Sequence, residues 1–141
     1  MKYVLDVSVA ICWVIPRPLS PKALKLRDEY LRQIHELLAP AVFIDEAAGA
    51  LTKAERQKDI GVGQAAPLYT KVMNSPPVLI PHAPLIARAI DISSRTRSGY
   101  YDCLYVALAE RHGCQLVTAG QKSVNHLAPH FPFIVPLASL P

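Results

Sequence analysis

The stretch Tyr100–Gly120, YYDCLYVALAERHGCQLVTAG, limits the possible folds more than any other part of the chain. Leu104, Val106, Ala107 and Leu108 form an apolar run with the spacing of a buried helix, and Arg111, His112 and Gly113 close it. Cations in a last turn complement the helix dipole, and a glycine there can take the left-handed conformation that stops a helix. Leu116 and Val117, bounded by Gly113 and Gly120, predict a strand over Gln115–Thr118. Helix, tight turn and strand make half of an α/β repeat. Asp102 stands at the start of this helix, where an acid is either an N-cap or a site residue.

A length of 141 residues suggests one domain over 1–141, and 51% apolar against 18% charged residues suits a packed core. No apolar stretch approaches the ~18–20 residues that span a bilayer, so no membrane helix is expected. In the opening MKYVLD, Asp6 falls where a signal peptide needs its apolar centre, which predicts a cytoplasmic protein. Cys12, Cys103 and Cys114 are odd in number and sit in apolar segments, so they read as buried thiols and not as a disulfide framework. A net charge of +4 suits an acidic partner such as nucleic acid, but proteins that bind none also carry such a charge. The bases group as Lys22, Lys25 and Arg27, as Lys53, Arg56 and Lys58, and as Arg95 and Arg97, and each group reads equally as a solvated helix face. Tyr100, Tyr101 and Tyr105 suit either base stacking or core packing.

From the N-terminus, Lys2–Asp6 reads as a strand that ends in a carboxylate, followed by a short helix over Val7–Val14 that Pro16 and Pro18 break. Ser20 and Pro21 predict an N-cap and first residue for a helix reaching about His35. A strand over Leu38–Phe43 precedes a helix from Asp45 to about Lys58, with Asp45 as cap. Further helices are expected over Gly61–Asn74, from His82 to about Thr96 and over Lys122–Leu127, with strands at Val78–Ile80 and Phe133–Val135. This order describes an α/β/α sandwich around a mostly parallel sheet.

Three acids then acquire a common address. Asp6 lies at a strand end, while Glu46 and Asp102 lie at helix starts, and such ends fall along one edge of a parallel sheet. Glu46 precedes Ala47, Ala50, Leu51 and Ala54, which places it either on the apolar stripe, asking for a partner, or as an exposed first-turn acid. Clustered carboxylates repel unless a cation neutralises them, and hard oxygen ligands suit Mg2+ or Mn2+. A receiver-type phosphoacceptor site fits poorly, because Ala119, Gly120 and Gln121 separate Thr118 from Lys122. A haloacid-type phosphohydrolase needs an acid where Ser8 stands, and a zinc site on His126 and His130 lacks a third ligand.

The opening D-x-S-V-A with Trp13, the E-A-A-x-A-L segment at Glu46, and Y-D-C-L-Y-V-A-L-A-E followed by L-V-T-A resemble the PIN-domain ribonucleases. The resemblance is to VapC-type toxins of toxin-antitoxin pairs in particular, and it covers nearly the whole chain in the right order. It implies a PIN-like three-layer α/β/α sandwich and a metal-dependent endoribonuclease in which Asp6, Glu46 and Asp102 ligate Mg2+ or Mn2+. It also implies nearby hydroxyls from Ser8 and Thr118, an RNA substrate, a cognate antitoxin whose tail blocks the site, and a homodimer. The chain departs from the family pattern at Gly120, where a fourth acid is common, and at Gly49, where an asparagine is common. Fewer ligands imply weaker metal binding. The alternative is a PIN-like module that binds RNA or an antitoxin without cleavage.

Overall fold

The computed structural model describes residues 1–141. Five short strands, β1 (Lys2–Leu5), β2 (Glu36–Pro40), β3 (Val78–Ile80), β4 (Gln115–Thr118) and β5 (Ile134–Pro136), form one sheet in the order β3-β2-β1-β4-β5. All four pairings are parallel. Val4, Leu5, Leu37 and Val117 have no exposure, as expected where a parallel sheet is covered on both faces.

Seven helices supply the covering layers: α1 (Val7–Val14), α2 (Ser20–Leu31), α3 (Phe43–Arg56), α4 (Ala65–Met73), α5 (Ile86–Thr96), α6 (Tyr100–His112) and α7 (Gln121–Leu127). Helix α1 packs with α2, α3 and α4, while α6 packs with α5 and against β1, β2 and β4. The result is the three-layer α/β/α sandwich that the PIN-like pattern implies. Every residue of α6 from Cys103 to Ala109 is buried, so this helix is enclosed on all sides. Gly113 ends it in the left-handed conformation, at φ 61°. On the outside, the Arg88 guanidinium of α5 joins Glu110 of α6 and Asp91 of its own helix.

Local hydrogen bonding moves several element ends from where the sequence suggests. Ser20 does not cap α2; its hydroxyl donates to the Cys12 carbonyl at 2.7 Å and fastens α2 to α1. Helix α2 stops at Leu31 and not near His35, because Gln33 turns into the left-handed region, at φ 64°. The second strand lies at Glu36–Pro40, since Pro40 ends the pairing and Phe43 already opens α3. Asp45 is therefore a first-turn residue and not a cap. Asp102 is likewise the third residue of α6, behind Gly99 as N-cap. Helix α4 begins only at Ala65, after a turn in which the Glu55 carboxylate accepts from the backbone N–H groups of Gly63 and Ala65. The segment from His82 divides into a 3-10 turn at Ala83–Leu85 and α5. Helix α7 starts one residue earlier than expected, and β5 one residue later.

Cys12 and Cys103 are buried, Cys114 is partly so, and all three are free thiols. No helix is long and apolar enough to cross a membrane.

Candidate functional site

The strand order fixes where a ligand can enter. The chain passes from β1 to β2 and β3 on one side, then places β4 and β5 on the other side of β1. An open parallel sheet leaves a crevice at such a switch point, beyond the C-terminal ends of the two central strands. Asp6 directly follows β1, and Thr118 is the last residue of β4.

The sheet itself anchors Asp6, whose backbone N–H donates to the Val117 carbonyl at 3.0 Å. Its side chain also caps α1. Oδ2 accepts from the Ser8 N–H at 3.2 Å, from the Ser8 hydroxyl and from the Thr118 hydroxyl at 3.2 Å. Both hydroxyls are held in turn by the chain that leaves β4. The Ala119 N–H donates to Ser8 Oγ and the Gly120 N–H to Thr118 Oγ1, each at 3.0 Å. Asp6 is thus cradled by the two hydroxyls the sequence selects. Burial still raises its carboxyl above the usual range, against the lowering effect of these hydrogen bonds.

Glu46 points inward from the first turn of α3, and the half-buried position decides between its two sequence readings in favour of the apolar stripe. Its Oε1 is buried with no hydrogen-bond partner. Burial pushes the carboxyl up to about 7, and the charges of Asp6 and Asp102 add to the rise. Across from it lies the Tyr105 hydroxyl, which is also buried without a partner. The phenol is near enough to lower Glu46 somewhat, but the pair falls short of a well-formed hydrogen bond. Asp102 stands at the exposed rim, one turn before Tyr105. Its carboxyl is raised by partial desolvation and by Asp6, and lowered by the Lys122 ammonium.

The three acids therefore feel one another across one crevice. No three His, Cys, Asp or Glu side chains stand close enough together to hold a metal ion as they are placed. Mutual repulsion between uncompensated carboxylates opposes closer approach. The donor set nevertheless suits a hard cation: carboxylate oxygens from three residues, neighbouring hydroxyls, and in Glu46 a half-buried acid that no base compensates. Gly120 adjoins this site. A Cβ built there would meet Thr118 Oγ1 at 3.4 Å and Ser123 Oγ at 3.7 Å, so a side chain fits. Gly49 is exposed, with open space around it.

Beside the crevice, Ser8 and Ala119 border a groove of about 560 Å3 between α1 and α3, with Ile11, Ile15 and Ala54 on its floor and Arg17 and Lys53 at its edge. Several of the other bases are engaged elsewhere. Lys22 donates to the Leu140 carbonyl, Arg27 lies 5.9 Å from the Trp13 ring centroid, and Arg95 pairs with Asp91. His126 bonds to the Thr96 carbonyl. Of the three tyrosines, Tyr105 is only 1% exposed and cannot stack on a base, whereas Tyr101 is exposed. The sequence reading missed Tyr105 and Lys122 as neighbours of the acids. The signals were there: Tyr105 follows Asp102 by one helical turn, and Lys122 lies four residues beyond Thr118.

A family model described as PIN domain matches residues 3–127. PAE2754 from Pyrobaculum aerophilum has a similar crystal structure, with a TM-score of 0.70 at 22% identity, covering 99% of this chain and 94% of that one. VapBC2 from Rickettsia felis, bound to a DNA fragment from its promoter, gives 0.64 at 13% identity over 96% of this chain and 97% of that chain. A toxin-antitoxin complex from Klebsiella pneumoniae gives 0.62 at 15% identity, with the same coverage. At these identities the likeness is one of fold. No curated protein matches the sequence.

Proposed function

The chain belongs to the PIN domain family, and from that premise we propose that it is a metal-dependent endoribonuclease, the toxin of a type II toxin-antitoxin pair. The observation that supports this reading is that Asp6, Glu46 and Asp102 border one crevice at the sheet's switch point, where burial, with the charges of Asp6 and Asp102 adding to it, pushes Glu46 up to about 7. Burial of acids that repel one another is costly in a fold that makes no use of them.

Each residue has a part that its surroundings support. Ser8 and Thr118 orient Asp6 through Oδ2, and no other side chain engages this carboxylate. Glu46 offers a carboxylate that no base compensates, and Asp102 closes the site from the rim. A bound Mg2+ or Mn2+ would supply an activated water and neutralise charge on a phosphodiester in reaction. Three acids support one such ion better than two, because Gly120 adds no ligand. The VapBC2 and Klebsiella complexes are fold relatives made of toxin and antitoxin, which favours an antitoxin as partner here. We further read residues 1–141 as one cytoplasmic domain that acts as a homodimer on RNA.

A second reading is a PIN-like module that binds RNA or antitoxin without cutting. Gly120, together with the separation of the acids as placed, favours it. The two readings part on cleavage of a mixed single-stranded RNA panel with Mn2+, with EDTA, and with Asp6→Asn. Metal-dependent cutting that disappears in Asp6→Asn supports the nuclease. A folded, antitoxin-free protein that leaves the panel intact supports the binding module.

A further inference from the structure

Tyr105 is an anomaly inside α6. Its side chain is 1% exposed in the buried run from Cys103 to Ala109, yet its hydroxyl is buried without a partner. Phenylalanine would fill the same space without stranding a polar atom, so packing alone does not account for the hydroxyl. The second stranded atom of this region is Glu46 Oε1, presented from α3. The two are chemically complementary, since a phenol donates one O–H and a carboxylate only accepts. Tyr105 also shares a face of α6 with Asp102, one turn away, so a bond from its hydroxyl would tie α3 to the helix that carries another acid.

We propose that Tyr105 is a positioning residue: its hydroxyl grips Glu46 Oε1 and thereby presents Oε2 toward Asp6 and Asp102. The inference rests on the metal-site reading above. A phenol carries an O–H donor and a carboxyl oxygen accepts, so the two stranded atoms are suited to each other. As placed, the two groups stand just short of this bond, and a small shift of Glu46 would complete it in the metal-loaded protein. An oriented ligand binds more tightly than one that must be ordered on binding.

The test is Mn2+ titration by calorimetry on wild type, Tyr105→Phe, Glu46→Gln and the double variant. Tyr105→Phe is expected to weaken Mn2+ binding about tenfold, as losses of outer hydrogen bonds to ligands do. In the Glu46→Gln background the same change is expected to add nothing, because the hydroxyl acts through that carboxylate. Wild-type affinity in Tyr105→Phe, or an equal further loss in the double variant, overturns the proposal alone. Wild-type protein that binds no Mn2+ overturns the metal reading and this inference with it. A second readout needs no variant. Mn2+ addition to wild type is expected to perturb the ultraviolet absorption of a buried tyrosine, and a flat difference spectrum would contradict the grip.

Discussion

Replacing Glu46 by glutamine separates the acid's effect on stability from its effect on metal binding. In the folded chain this carboxyl is held at about 7 against an ordinary 4.5, so the fold binds its proton more tightly than the unfolded chain does. Between those two values the native state carries more protons, and stability falls as pH rises. Above about 7 the loss is complete. The full difference corresponds to about 3 kcal/mol, and the partial solvent access of Glu46 screens it to about 1–2 kcal/mol. Glutamine mimics the protonated side chain, so Glu46→Gln should match wild type near pH 5 and exceed it at pH 8. For a chain of this length the gain amounts to roughly 4–6 °C in Tm. The assay is thermal unfolding of both proteins in EDTA across that range. The raised carboxyls of Asp6 and Asp102 act with the same sign, and relieving one charge does not reverse them. Saturating Mn2+ should invert the order, because only wild type offers the full ligand set and binding stabilises whatever binds. Parallel pH profiles for the two proteins would show that Glu46 is not the strained acid described here.

Gly120→Asp should tighten Mn2+ binding: the backbone at φ −83° is ordinary, the nearest contact of a new Cβ is 3.4 Å, and the side chain would face the hydroxyls beside Asp6. Unchanged affinity in a titration would show that residue 120 lies outside the ligand sphere. Ser8→Ala removes a donor to Asp6 and strands the Ala119 N–H, so denaturant unfolding should show a loss of about 1–2 kcal/mol, together with weaker Mn2+ binding. Trp13→Phe removes an indole N–H bond of 3.0 Å to the Ala23 carbonyl and replaces the ring beside Arg27 with a smaller one of weaker quadrupole. It should cost about 2 kcal/mol in the same assay and leave Mn2+ affinity unaltered.

The parts of this molecule that could be read in its sequence are those written in short windows. Asp6 is recognisable because a β-branched, aromatic strand ends on it and a helix begins at once. Glu46 is recognisable because an acid falls in register with Ala47, Ala50 and Leu51. The left-handed stop at Gly113 is visible in a cationic turn before a glycine. Caps were harder to read: Ser20, Asp45 and Asp102 are all residue types that favour an N-cap, yet the backbone enters the helix one to three residues before each of them. Cap identity is set by dihedral angles that neighbouring packing decides, and composition does not encode it. Strand order was illegible for a stronger reason. Nothing local says that β4 should lie beside β1, but this pairing brings Thr118 to Asp6 and creates the crevice. Tyr105 reads as base stacking or core packing because it is an aromatic within an apolar helix, and only the position of Glu46 across from it reveals a neighbour for its hydroxyl.

Asp6, Glu46 and Asp102 are proposed to form a single cation site. A crystal of the protein soaked in Mn2+ and measured at the manganese absorption edge tests it directly. The prediction is one anomalous peak in the crevice beyond β1 and β4, within bonding distance of all three carboxylates and with Glu46 drawn inward. A peak elsewhere, or none in the crevice at saturating Mn2+, would contradict it.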